Sequence, residues 1–113
     1  MLPKTNRLKK KKDFDRVVQW GKTANGRFLV LKSAKNELEN SRIGFVVSKK
    51  ISNRAVVRNK VKRRLRAAVK GFLPNIRPSY DIALFTKKGI EEKDFPEIKE
   101  MAEEVFKKAK LLS

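Results

Sequence analysis

The 113-residue chain has no cysteine and no histidine, and it carries only one tryptophan and one tyrosine. Without cysteine there is no disulfide framework, no thiolate nucleophile and no thiolate metal site, a usage that fits a reducing cytoplasm. Without histidine the commonest general base and metal ligand is missing. Apolar runs such as Ile43 to Val47 have the length of a strand and fall far short of a membrane span. The basic start is not followed by an apolar stretch, so neither a signal peptide nor a membrane partner is expected. Acids are scarce as well, with twelve Asp and Glu against thirty Lys and Arg. They form no obvious set for two-metal phosphodiester hydrolysis. Asp13 reads as a helix cap with Asp15 beside it, and Asp81, at a strand start, reads as structural or as a water contact. A nuclease acting by its own side chains is a poor fit.

What is present is positive charge. The net charge is +18, and self-repulsion on that scale opposes compaction, so its use lies in a polyanionic partner. Apolar residues make up 40% of the chain, enough for the core of one domain spanning 1–113. The charges are also segregated. Between Glu39 and Asp81 there are twelve Lys and Arg and no acid, while seven of the twelve acids fall between Glu91 and Glu104. A chain made basic only for solubility would intersperse the two signs.

Lys4 to Lys12 reads as a basic lead-in, mobile until Asp13. Phe14, Val17, Val18 and Trp20 then give a short helical pattern ending at Gly21. Arg27 to Ala34 reads as a strand, Lys35 to Ser41 as a turn and Ile43 to Ser48 as a β-branched strand. Ala55 to Phe72 is the best helix, with Val57, Val61, Leu65, Ala68, Val69 and Phe72 in one stripe. Ser52 or Asn53 can cap it, and Gly71 with Pro74 brackets its end. Tyr80 to Thr86 is another strand. Asp94-Phe95-Pro96-Glu97 has the form of a capping box with an early proline, opening a helix whose Ile98, Met101, Ala102, Val105, Ala109 and Leu112 face inward. The order predicts an α+β domain with one sheet.

On the best helix, Asn59, Lys62, Arg63, Arg66 and Lys70 lie opposite the apolar stripe at about 100° per residue. Seven Lys or Arg fall between residues 58 and 70 without an acidic partner one turn away. A merely solvated face leaves that bias unexplained, whereas a face that tracks a phosphate backbone accounts for it. Asn59 can both donate to and accept from RNA, which lysine cannot. By residue type alone Phe14 and Phe28 fit either core or base stacking. Trp20, ending a short helix, reads as packed in preference to stacked on a base, and Phe72 and Phe106 read as core.

Ser48-Lys49-Lys50-Ile51 followed by Ala55-Val56-Val57-Arg58-Asn59-Lys60-Val61-Lys62-Arg63 resembles the signature of the bacterial ribonuclease P protein component. Asn6-Arg7-Leu8, Asp13-Phe14 and Tyr80-Asp81-Ile82 also fall where that family has similar residues, so the resemblance covers nearly the whole chain. It implies an α+β single domain with about four strands and three helices, in the order α-β-β-β-α-β-α, and a left-handed βαβ crossover through the basic helix.

The resemblance implies a protein subunit of an endoribonuclease holoenzyme, in which a magnesium-dependent RNA subunit removes the 5′ leader of precursor tRNA. No catalytic or metal-binding residue is expected on the protein, nor an obligatory protein partner. The family's arginine-asparagine-arginine element maps onto Arg58, Asn59 and Lys60, where lysine keeps the charge but loses a fork of donors. Together with Lys62, Arg63, Arg66 and Lys70 it is expected to meet the RNA subunit. A cleft between the first helix and the sheet is expected to hold the single-stranded leader, with Lys12, Phe14, Phe28, Lys49, Lys50, Lys87 and Lys88 as its candidates. Val18 stands where the family often has a second aromatic, so a stacking role there is either absent or taken by Trp20. A ribosomal or other structured-RNA protein is the alternative reading.

Overall fold

In the computed structural model, which describes residues 2–113, the chain folds as α1 (Lys11–Trp20), β1 (Lys22–Asn25), β2 (Leu29–Lys35), β3 (Arg42–Val46), α2 (Ala55–Phe72), β4 (Tyr80–Thr86) and α3 (Phe95–Lys108). The sheet order is β1-β2-β4-β3; β1, β2 and β4 pair antiparallel, and β3 pairs parallel with β4. A parallel pair needs a crossover longer than a hairpin, and α2 supplies it. The expected α+β order is therefore met. The strand β1, short and polar, has no distinct signal in the chain and forms because β2 offers it an edge.

Alternation along β2 sorts the two faces. Leu29, Leu31 and Ser33 are buried toward α2 and α3, while Val30, Lys32 and Ala34 are half-exposed on the side of α1. The main core joins Leu31, Ile43, Ile82 and Leu84 of the sheet to Val61, Leu65 and Val69 of α2 and to Ile98, Ala102 and Val105 of α3. Full burial of a residue such as Leu65 contributes about 2 kcal/mol. Phe72 and Phe106 meet edge to face at 5.2 Å and lock α2 to α3. A smaller cluster of Leu8, Val17 and Ala83, with Phe14, Ala34 and Phe85 against it, holds α1 to the opposite face.

Several local expectations are corrected. The lead-in is docked rather than loose: Leu2 and Leu8 are buried, Leu8 N donates to Ile43 O at 3.0 Å, and Asn6 Nδ2 donates to Ser41 O at 2.8 Å. Its two leucines lose water by covering the exposed edge of β3. The first helix begins at Lys11, so Asp13 is no cap; its carboxylate turns to Arg42, 3.4 Å away. The N-cap of α2 is Arg54 without a side-chain cap, and Ser52 Oγ instead accepts from Arg54 N. Helix α2 keeps the expected bounds, Ala55 to Phe72, with Gly71 in its last turn and a 3₁₀ turn at Leu73–Asn75 after it. In α3 the cap is as expected, with Asp94 Oδ1 accepting from Glu97 N at 3.1 Å. The buried residue after α3 is Leu111 rather than Leu112, because the chain reverses at Lys110. Trp20, expected to pack, is 74% exposed.

Candidate nucleic-acid interface

Helix α2 presents its polar side away from the core. Asn59, Lys60, Arg63 and Lys70 are exposed, and Arg58, Lys62 and Arg66 flank them half-buried. Two of the seven cations serve the fold. Arg58 Nη1 donates to Ser52 O at 2.9 Å, tying the helix start to its approach loop, and Arg64 Nη1 donates to Lys93 O at 2.7 Å. Among the described residues, Lys60, Lys62, Arg63, Arg66 and Lys70 make no ion pair or side-chain hydrogen bond. Ala67 and Gly71 sit one turn apart on the same side and leave a shallow groove bordered by Arg63, Arg66 and Lys70. Nothing lies within 4 Å of where a side chain on Gly71 would be. Small residues beneath free cations let a phosphate backbone come close.

The second surface depends on how α1 lies on the sheet. Gly44 makes room for Phe14, whose ring would stand 2.1 Å from a Cβ placed there. Arg16 and Arg42 both reach the fully buried carboxylate of Asp81, Arg42 bidentately at 2.8 and 2.7 Å, and Asn36 Nδ2 adds a bond at 2.9 Å. Burial works to raise the Asp81 carboxyl. The hydrogen bonds from Arg42 and Asn36, with the charges of Arg42 and Arg16, outweigh burial and hold it below its ordinary value. Asp81 is thus structural, clamping α1, β3 and β4 together.

Because this clamp grips only the Asp81 end of the sheet, α1 covers only half of the face. Val30, Lys32, Val46 and Phe85 remain half-exposed beyond it. The register confirms that they are neighbours, with Phe85 between Val30 and Val46. None of the four is among the site residues expected from the sequence. The polar–apolar alternation of β2 marks Lys32, but the openness of the face comes only from where α1 stops.

This open face leads to a cluster of lysines. Parallel pairing brings the ends of β3 and β4 to one side, and Thr86 Oγ1 donates to Val46 O at 3.1 Å. In the loop after β3, Ile51 is buried as a plug and turns Lys49 and Lys50 outward. Lys88 Nζ donates to Ile51 O at 3.2 Å and lies 3.6 Å from Glu91, so part of its charge is already balanced. Lys87 is exposed beside it, with a long bond of 3.4 Å to Gly26 O. Lys12 is exposed on the first turn of α1, two residues before Phe14. Phe14 also borders a cavity of about 340 Å³ under the lead-in, which Arg66 reaches from α2.

Phe28 does not join Phe14. A φ of 57° turns it away from the open face, its ring packs against Gly89, and the Lys93 ammonium sits 5.1 Å from its centroid. Its backbone still serves this end of the sheet, since Lys87 N donates to Phe28 O at 2.9 Å. Among the described residues, no group of three or more Asp or Glu lies close enough to hold a metal ion, and no helix is long and apolar enough to cross a membrane.

A helix with five unengaged cations on one side of a sheet and a half-open face ending in lysines on the other define a basic α+β nucleic-acid-binding domain. Residues 2–110 match the family model described as Ribonuclease P, and the chain belongs to the ribonuclease P protein family. It is 35% identical to the ribonuclease P protein component of a Cyanothece species, over 99% of this chain and 98% of that one. It is 40% identical to that of Caldanaerobacter subterraneus, over 98% and 95%. The solved ribonuclease P protein of Staphylococcus aureus superposes with a TM-score of 0.88 at 32% identity, over 96% of this chain and 98% of that one. Membership defines the work: an RNA-binding subunit of the tRNA-processing ribonuclease P holoenzyme, partnered with ribonuclease P RNA.

Proposed function

We propose that the two surfaces divide the labour between the two RNAs of the reaction. The outer side of α2, through Arg58, Asn59, Lys60, Lys62, Arg63, Arg66 and Lys70, meets the RNA subunit. The open face of the sheet holds the single-stranded 5′ leader of precursor tRNA. Lys32, Lys49, Lys50, Lys87, Lys88 and Lys12 neutralise its phosphates, and Phe14 or Phe85 offers a surface on which a base stacks. Such a groove is tolerant of sequence, because every base has a flat face and every nucleotide a phosphate. Hydrolysis and the magnesium it requires belong to the RNA subunit, and the protein lowers the repulsion between two polyanions brought together. A cytoplasmic setting without an obligatory protein partner completes this reading.

One observation carries the assignment of the leader. The half-exposed strip of Val30, Lys32, Val46 and Phe85 has an apolar floor, contains no acid and runs into the lysine cluster. Reconstitution with ribonuclease P RNA tests it. Lys32→Ala and Phe85→Leu are expected to weaken precursor tRNA binding by at least roughly five-fold, the lower range for loss of a stacking or phosphate contact, and to leave mature tRNA unaffected. Equal loss for precursor and mature tRNA would remove the leader from this face.

A further inference from the structure

Trp20 is the large aromatic side chain that burial does not explain. It is the only tryptophan of the chain, stands at the last position of α1 and is 74% exposed. Beside it is a concavity of about 620 Å³ at this end of the sheet, lined by Ala24, Ser33 and Ala34 between the end of α1 and the end of α3. The half-buried Tyr80 forms a second aromatic wall, with the Arg77 guanidinium carbon 5.9 Å from its centroid. Lys22 and Lys35 border it from the sheet, Lys108 and Lys110 from the end of α3, and no acidic residue lines it. Lys108 is engaged with Asn25 O at 2.7 Å. Among the described residues, Lys22, Lys35 and Lys110 make no ion pair or side-chain hydrogen bond.

A helix C-terminus would ordinarily turn carbonyl oxygens toward such a hollow and repel an anion. Here two of the last carbonyls are taken up by a closing turn, with Lys110 N donating to Lys107 O at 2.9 Å and Leu111 N to Phe106 O at 3.0 Å. Lys110 holds the left-handed position of that turn at φ 62°, where glycine is the usual residue. It thereby adds an ammonium to the mouth of the hollow.

The site lies at the opposite corner of the sheet from the lysine cluster. It is at the Lys35–Tyr80 end, about 20 Å along the strands from the Leu29–Thr86 end. It also lies at the β1 edge, whereas α2 packs against β3. RNA held here is therefore a different stretch from that on the open face.

We propose that this hollow is a second RNA site, which takes a short single-stranded segment by stacking a base on Trp20 and holding the flanking phosphates on Lys22, Lys35 and Lys110. A duplex offers phosphates but no free base for the aromatic walls. The inference extends the ribonuclease P reading by assuming RNA as the available polyanion. The segment comes either from substrate remote from the cleavage point or from the RNA subunit.

The lone tryptophan makes the test direct. Oligouridylate of about six nucleotides, titrated into the full-length protein at roughly 100 mM monovalent salt, should quench Trp20 fluorescence saturably. The double variant Lys35→Ala/Lys110→Ala, with its fold checked by circular dichroism, should raise the Kd at least roughly five-fold. By anisotropy of labelled oligonucleotide, Trp20→Phe should bind nearly as wild type and Trp20→Ala should not. In the holoenzyme, Trp20 emission shifting on addition of ribonuclease P RNA alone assigns the segment to that RNA, and a shift only with long-leader precursor assigns it to substrate. No quenching, equal quenching by duplex RNA or polyglutamate, or an unchanged Kd in the double variant would overturn the proposal. So would loss of quenching in Phe14→Ala/Lys49→Ala, which would place the oligonucleotide on the open face. Failure of the wild-type holoenzyme to cleave precursor tRNA would instead count against the ribonuclease P reading itself.

Discussion

Helices α2 and α3 pack side by side on the same face of the sheet, yet they are built to opposite electrostatic rules. Helix α3 begins with an aspartate cap and an early proline, carries Glu97 in its first turn and ends with Lys107 and Lys108. Each of these favours the helix dipole. Its outer acids are also answered, with Glu100 and Glu104 at 3.4 and 2.8 Å from Arg27. Helix α2 has neither a side-chain cap nor an acid in its first turn, and most of its cations are unpaired. Its order comes from the buried stripe of Val61, Leu65, Ala68, Val69 and Phe72. Both helices bury an apolar stripe, but α3 adds a cap and well-placed charges to that packing, whereas α2 is held by packing without them and leaves its charge for a partner.

The largest expected effect breaks this contrast at its functional end. Affinity for ribonuclease P RNA should fall by orders of magnitude between roughly 50 and 200 mM monovalent salt. In Lys60→Ala/Arg63→Ala/Lys70→Ala, the slope of log affinity against log salt should shrink by about 2–3. Lys99→Ala and Lys107→Ala, on exposed positions of α3, should leave it unchanged. Comparable loss of slope from the two helices would mean that the RNA senses only net charge. The thermal stability of the α2 triple variant should hold or rise, since self-repulsion is relieved.

Next in size is the clamp that positions α1. Asp81→Ala leaves Arg42 and Arg16 without their carboxylate, and should cost about 3 kcal/mol in denaturant unfolding. The corresponding pH effect has a definite sign. A carboxyl held below its ordinary value favours the folded state above about pH 4, and that contribution is lost as pH falls through the folded value. Wild type should therefore lose stability below about pH 4 more steeply than Asp81→Ala. Parallel acid-unfolding curves would show that the buried carboxylate contributes nothing.

Smaller still is the cap of α3. Asp94→Ala should cost about 1 kcal/mol and lower Tm by about 5 °C. Ser52→Ala, before the uncapped α2, should have less effect, and reversal of that order would mean that α2 depends on its approach loop. The smallest expected change is with pH near neutrality. With no histidine, RNA affinity in matched salt should vary less than about two-fold between pH 6 and 8.5, because Lys, Arg, Asp and Glu keep their charges. A tenfold change would indicate a strongly shifted side chain at the interface.

The features legible in the chain are those whose cause is local. The stripe of α2, the Asp94 cap, the hydrophobic core of β4 and the acid-free middle are set by period and composition, and the structure places them as expected, although Glu97 turns to Lys93 rather than closing a capping box. The Lys49-Lys50-Ile51 and Arg58-Asn59-Lys60 segments were legible as a signature, because residue types and spacing sufficed. Site details that depend on where one element stops against another were not. Phe28 passed for a cleft aromatic, since nothing local announces a φ of 57°. Trp20 reads from the chain as packed in preference to stacked, since only the fold shows that α1 carries it out to 74% exposure. Lys32 and Phe85 were overlooked, because a half-covered strand has the same alternation as a fully covered one.

By itself, then, the sequence determined the class of fold, the positive field and the helix that projects it, because helical period and charge segregation act within a few turns of chain. Tertiary structure alone decided how the lysines grouped by the resemblance meet at one end of the sheet, that α1 leaves half a sheet face open, and that Trp20 borders a basic hollow. Each of these follows from pairing β3 parallel to β4 and from clamping α1 at Asp81. Both are contacts between residues far apart in the chain, and their geometry exists only once the strands have paired.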